Sequence, residues 1–191
     1  MVLPISLNFR LPSVLILFLA FSLATNAIFA EDLSFKYIHD EYKKGNYDTV
    51  SRLSLKVLKS QDPAKDPRFF FLYISTEKNW SALKGTVATL SNPSWKETSF
   101  YWNAIYLFME RALVFGESDL LVKYGRIFQK EGKSNPRYQE ANFLLAFGLF
   151  DLKNFSESLR VLESLEKLTP PSKLQNQIDE LRVEMKNAGA E

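Results

Sequence analysis

Cysteine is absent from the 191 residues, and histidine occurs once, as His39. Thiol catalysis, disulfides, iron–sulfur ligation and the cysteine and histidine patterns of zinc sites are therefore excluded. The chain also lacks an excess of one charge, since 24 basic residues face 22 acidic ones. The seven glycines are scattered and form no phosphate-binding loop. We expect no metal, no cofactor and no nucleic-acid partner, because the residue patterns named above, which are typical of many such sites, are missing.

What the chain does have begins with an apolar N-terminal segment. Residues 1–30 contain no acid and one base, Arg10, followed by the apolar run Val14 to Ala24 and the small residues TNAIFA. This order predicts a secretory signal peptide cleaved near Ala30. The alternative is an uncleaved anchor, because residues 11–30 are just long enough to span a bilayer. An exported chain without cysteine suits the periplasm or cell envelope of a bacterium, with membrane contact only through this segment if it is uncleaved.

The remaining sequence, residues 31–191, has the periodicity of helices. Apolar residues recur at spacings of three and four, as in Leu159, Leu162 and Leu165, and even the run Phe69 to Ile74 is assigned to a helix because no second strand is available. Prolines mark the gaps between helices, and a helix-starting residue accompanies each group. The predicted starts are Asp66 before Pro67, Ser94 with Glu97, Asn135 before Pro136, and Ser172 with Gln175.

An internal repeat organises these helices. Four positions, called anchors here, lie 33, 38 and 37 residues apart and follow a short turn: Tyr47, Trp80, Ser118 and Phe155. Apolar or small residues occur three positions after each anchor and nine or ten positions before it. Each unit is therefore predicted to be a helix, a tight turn and a second helix that packs back on the first.

The repeats resemble the tetratricopeptide family. The likeness lies in the unit length, the Gly45-Asn46-Tyr47 and Lys153-Asn154-Phe155 turns, and the closing Pro170. It implies an all-α fold in which residues 31–170 form about four antiparallel helical hairpins stacked as an α-solenoid. Residues 171–191 would then supply a C-terminal capping helix, Ser172 to Asn187, and a tail. Residues 1–30 remain the signal peptide or anchor.

The resemblance also implies where a partner would bind. In the family, the first helices of successive units line a concave groove, and distances from the anchors carry this groove to eight residues of the chain: His39, Tyr42, Arg68, Tyr106, Glu110, Phe143, Phe147 and Phe150. Phe143, Phe147 and Phe150 form a single stripe on one helix. That stripe is either a binding surface or the seam against the capping helix.

These features predict an exported, non-catalytic scaffold that presents the groove to a protein or peptide partner. No catalytic residue is proposed, and the oligomeric state is left open. One alternative is a structural subunit packed permanently into an envelope assembly. A less favoured alternative is a carboxylate-based envelope enzyme, which would need two acidic side chains facing each other at roughly 5–10 Å.

Overall fold

The computed structural model describes residues 33–60, 66–90 and 93–189, so the predicted signal peptide or anchor lies outside the described residues. The described residues form nine α-helices and one short 3₁₀ helix, Pro93–Glu97, with no strand among them. None of the described helices has the length and apolar character needed to cross a membrane. The α-helices are α1 (Phe35–Lys43), α2 (Tyr47–Lys59), α3 (Pro67–Thr76), α4 (Trp80–Leu90), α5 (Ser99–Val114), α6 (Ser118–Glu131), α7 (Tyr138–Asp151), α8 (Phe155–Glu166) and α9 (Ser172–Asn187).

Helices adjacent in sequence pack against each other along the stack. The pairs α1–α2, α5–α6 and α7–α8 form hairpins 1, 3 and 4, and α9 packs on both helices of hairpin 4. Helices α3 and α4 form hairpin 2, in which the Tyr73 hydroxyl donates to Thr86 Oγ1 at 3.2 Å. The first helices of neighbouring hairpins also touch, in the contacts α1–α3, α3–α5 and α5–α7. The predicted all-α, solenoid-like arrangement is confirmed.

The four predicted anchors are the first residues of the four second helices, α2, α4, α6 and α8. A tight turn that ends a first helix therefore sets the start of the next helix in every hairpin. The positions three residues after the anchors are fully buried, which places the first turn of each second helix against the core: Val50, Leu83, Leu121 and Ser158.

Three of the four hairpin turns share one hydrogen-bonding pattern. In hairpin 1 the Asn46 amide donates to the Glu41 carbonyl at 3.1 Å, and Gly45 between the helices has a φ of 81°. Such a left-handed residue closes a helix by satisfying its last carbonyls. The equivalent residues are Gly116 at 66° in hairpin 3 and Lys153 at 61° in hairpin 4. Lysine therefore occupies a conformation that glycine adopts without strain.

Replacing Lys153 with glycine is expected to raise the free energy of unfolding by about 1 kcal/mol, because the left-handed conformation costs a residue with a Cβ about that much. The matched reverse variant is Gly45→Lys, in an equivalent turn where a Cβ would meet nothing within 4 Å. Gly45→Lys should lower the free energy of unfolding by a similar amount. Urea unfolding measures both variants. Equal stability of Lys153→Gly and wild type would show that this turn is not strained.

The helix starts were predicted with mixed success. Asp66 is confirmed as a cap, since its Oδ1 accepts from the Arg68 amide at 2.9 Å with Pro67 in the first helical turn. Ser94 was wrong as a start of the long helix α5, because it lies within the 3₁₀ helix and Thr98 caps α5 by accepting from the Tyr101 amide. Thr98, four residues after Ser94, is the residue that caps α5. Ser172 begins α9 but makes no capping bond.

Hairpins 3 and 4 approach each other most closely where two glycines face the neighbouring hairpin. A Cβ added at Gly125 of α6 would lie 2.8 Å from the Cβ of Leu145 on α7. One at Gly148 of α7 would lie 3.1 Å from Leu121 of α6. Small residues therefore set the spacing at this junction.

Polar side chains link every junction of the stack. Each bond runs from a second helix to the next hairpin, or from α9 back to hairpin 4: Ser51 Oγ to Glu77 at 2.7 Å, Lys84 to Glu117 at 2.5 Å, Arg126 to Glu157 at 2.7 Å and Arg182 to Glu166 at 2.8 Å. Most of these groups are partly exposed, so each pair contributes little energy but restricts how neighbouring hairpins rotate.

Candidate functional site

The predicted groove residues fall into three groups along the first helices. The N-terminal cluster is formed by α1 and α3. The ring of Phe35 stacks on His39 with centroids 5.4 Å apart, and the guanidinium of Arg68 lies 3.9 Å from the centre of the Phe35 ring. Arg68 is held in place by the carboxylate of Asp66, to which its Nε donates at 2.6 Å. His39 and Arg68 are thus brought together through Phe35, which lies between them.

The central cluster is a pocket of about 230 Å³ between α3, α5 and the start of α7. Predicted residues Tyr106 and Glu110 line it together with Phe71, Asn103, Leu107 and Arg137. The Arg137 guanidinium lies 5.2 Å from the centre of the Tyr106 ring and 3.9 Å from Glu140. Asn103 is fixed by Asn135, whose Nδ2 donates to Asn103 Oδ1 at 3.3 Å. Residues of three hairpins therefore converge on one small pocket.

Tyr106 of this pocket has a hydroxyl with a raised pKa. Burial raises the pKa of its hydroxyl to about 12, and the neighbouring carboxylate of Glu110 acts in the same direction, whereas Arg137 opposes it. Both main causes disfavour the phenolate, so the hydroxyl stays protonated and remains a hydrogen-bond donor at neutral pH. The pocket thus offers a donor, a carboxylate and a guanidinium beside aromatic rings.

The Tyr106 hydroxyl is expected to titrate near pH 12, about two units above an ordinary tyrosine. Because its folded pKa is raised, the stability it contributes is complete below about pH 10 and is lost as the pH rises through 12. The difference in tyrosinate absorbance between wild type and Tyr106→Phe isolates this one group during a pH titration. A difference curve centred near pH 10 would contradict the buried environment described here.

The C-terminal cluster lies on α7 and the start of α8. The rings of Phe147 and Phe150 meet edge to face at 6.3 Å, and Phe150 lies 5.7 Å from Phe155. All three are half-buried and pack against a core that includes Leu174, Ile178, Leu181 and Met185 of α9. Phe143 packs on the same core. Packing of the stripe on the C-terminal core is therefore observed, and its role as a binding surface stays a prediction.

Tyr42, the eighth predicted residue, lies apart from these clusters. Its ring contacts Tyr47 at 5.6 Å beside the turn of hairpin 1. Tyr42 does not line the central pocket. The eight predicted residues therefore form three clusters and one separate tyrosine.

Several cluster residues were missed by the analysis of the sequence. Arg137 precedes α7 in a linker, and Phe71 of α3, which lines the central pocket, contacts Phe100 of α5 at 6.2 Å. Phe100 is 41% exposed. Phe100 gave no distinct signal in the sequence, because Ala104 and Leu107 follow it at helical spacing, as they would around a core residue.

Acidic residues in the described clefts serve mainly as links between hairpins. One pocket of about 330 Å³ brings together Asp48 and Glu77, but Asp48 pairs with Lys78 at 2.8 Å and Glu77 accepts from Ser51. Across the described ranges, no group of three histidine, aspartate or glutamate side chains is placed to hold a metal ion.

Comparison of the chain with known protein families, with curated proteins and with solved structures finds no match.

Proposed function

We propose that the chain is an exported, non-catalytic protein-binding scaffold of the tetratricopeptide-like class, acting in the periplasm or cell envelope. The observation that carries this proposal is the row of three clusters on consecutive first helices. Each contains half-exposed aromatic rings, and two of them contain an arginine over a ring. Aromatic residues and arginine dominate the energetics of protein interfaces.

In binding, the rigid stack of hairpins would present the three clusters to the partner. The turns, the glycine junction and the polar links restrain neighbouring hairpins, so little conformational entropy is lost when a partner docks. An apolar side chain of the partner would enter the central pocket beside Phe71 and Tyr106. The opposite charges of Glu110 and Arg137 would fix the orientation of a polar group next to it.

A matched pair of charge reversals tests this proposal. Arg137→Glu alters the central cluster, where the side chain is 54% exposed, and Lys130→Glu makes the same change of charge on an exposed position of the second helix α6. Full-length chains are expressed in the native cell and crosslinked, and the recovered proteins are compared. A protein captured by wild type and by Lys130→Glu should be lost with Arg137→Glu. Equal capture by all three would contradict binding through the first helices.

A structural subunit is the second candidate, favoured by exposed apolar side chains at the hairpin turns. Half of the eight large hydrophobic residues that are exposed among the described residues lie at these turns: Tyr47, Val114, Phe115 and Leu152. A permanent subunit would bury such a surface over more than about 2,000 Å². Light scattering on the purified chain separates the two candidates, because a scaffold remains monomeric and an orphaned subunit aggregates.

A further inference from the structure

A cleft lies away from the three clusters. It has a volume of about 780 Å³ and is formed by the end of α6, the start of α7 and the end of α8. None of the eight predicted groove residues lines it. Its volume is within the range of about 300–1,000 Å³ that ligand sites occupy.

The hydrogen-bonding groups of this cleft are almost all uncharged. They come from the side chains of Gln129, Asn135, Tyr138, Gln139, Asn142 and Ser164. Lys133 is the single charged residue of the lining, and it lies at the exposed rim. Opposite the amides, Val161, Leu165 and Leu168 form an apolar wall. The cleft thus places neutral polar groups beside a surface for an apolar side chain.

The side chain of Asn142 is held in a fixed position in this cleft. Its side chain is 3% exposed, and its Nδ2 donates to the carbonyl of Tyr138 at 2.7 Å. No hydrogen bond to its Oδ1 is found among the described residues. Gln139 is positioned too, because its Nε2 donates to the Leu168 carbonyl at 3.1 Å across the cleft. The amide oxygen of Asn142 is therefore available to a donor on a ligand in the cleft.

We propose that this cleft binds a short peptide segment, neutral or acidic, with one apolar side chain. A backbone N–H of the peptide would donate to Asn142 Oδ1, and a peptide carbonyl would accept from the free amide of Gln129. The apolar side chain would pack on Leu168, which is 44% exposed. Lys133 would pair with an acidic side chain, and the absence of carboxylates from this lining leaves a basic peptide without a partner.

A peptide fits these groups better than a glycan does. A sugar could use the amides, but its hydroxyls would face the wall formed by Val161, Leu165 and Leu168 without forming hydrogen bonds there. A peptide supplies alternating polar backbone and apolar side chains, which matches the two walls of the cleft. The site shares no residue with the central pocket, so it stands or falls independently of the proposed scaffold function.

The test is an NMR titration of the full-length chain with capped tripeptides that share a central leucine. The third residue is glutamate, glutamine or lysine, and maltose serves as the glycan probe. We expect the resonances of Gln129, Gln139 and Asn142 to shift most with the glutamate peptide and least with the lysine peptide. No cleft shift with any tripeptide, or a shift with maltose alone, would overturn the proposal.

Two variants locate the binding. Lys133→Glu changes an exposed side chain and should reverse the order of the glutamate and lysine peptides, by about threefold in affinity each way. Asn142→Leu keeps the side-chain size and should weaken all three peptides about tenfold, provided that its unfolding midpoint matches wild type. Lys130→Glu, on α6 outside the cleft, should change neither result. An unaltered charge order in Lys133→Glu would contradict the assignment even if Asn142→Leu failed to fold.

Discussion

Replacing Phe108 with alanine is expected to lower the free energy of unfolding by about 3–5 kcal/mol, because the substitution leaves a large cavity in a packed core. Phe108 is 1% exposed in the middle of the stack. Its ring contacts Trp80 of α4 at 5.2 Å and Tyr124 of α6 at 4.9 Å. Phe108 therefore helps to join hairpins 2 and 3, and urea unfolding measures the loss of stability.

Val114 is the matched control for Phe108, because it lies on the same helix and is 81% exposed. Val114→Ala should stay within about 0.5 kcal/mol of wild type. If Phe108→Ala were equally mild, α5 would not form the centre of a continuous core. A loss confined to one half of the chain, detected as a second unfolding transition, would show that the hairpins unfold separately.

Gly125→Ala is expected to lower the free energy of unfolding by about 1–3 kcal/mol, although alanine favours a helix more than glycine does. The added Cβ would lie 2.8 Å from the Cβ of Leu145 and 3.3 Å from its Cα, so the clash involves the α7 backbone as well as its side chain. Hairpins 3 and 4 must then move apart. The expected loss is a lower unfolding midpoint in urea.

Gly85→Ala provides the opposite expectation from the same chemical change. Gly85 lies on an exposed position of α4, where an added Cβ would meet nothing within 4 Å. This variant should gain about 1 kcal/mol from helix propensity alone. If both glycine variants were stabilised, the close approach of α6 and α7 at Gly125 would be refuted.

The hairpins could be predicted from the sequence because their signals are local. A turn with a left-handed glycine at Gly45 or Gly116 ends one helix and sets the start of the next within a few residues. The final helix, Ser172–Asn187, was also predicted with its bounds, since two prolines precede it and its apolar residues recur at helical spacing. Ser94 misled because two start signals lie close together and only tertiary packing selects Thr98.

The clusters could be predicted only in part because they depend on how hairpins pack sideways. Tyr106 and Glu110 are one helical turn apart, so their proximity follows from the sequence. Arg137 joins them only because α7 packs beside α5, and no local signal in the linker indicates that contact. The cleft at Asn142 was missed for the same reason, since its walls come from three helices and contain no recognisable motif.

The three clusters and the exposed residues at the hairpin turns favour different functions. Aromatic rings along the first helices favour a transient partner, whereas exposed Val114 and Phe115 at a turn favour permanent packing. The two functions can be distinguished by which residues contact another protein in the cell. Positions on the first helices and at the turns can be compared directly within one chain.

Site-specific photocrosslinking in the native cell distinguishes a scaffold that binds through its first helices from a subunit that is held by its turns. A photoreactive residue is placed singly at Leu107 and Phe100 on the first helix α5, at Phe115 and Leu152 in the turns, and at Lys130 on a second helix. If the chain is a scaffold that binds through its first helices, we expect adducts with one protein from Leu107 and Phe100, and none from Lys130. Adducts confined to Phe115 and Leu152 would show instead that the chain is held by its turns, and would contradict a scaffold that binds through its first helices.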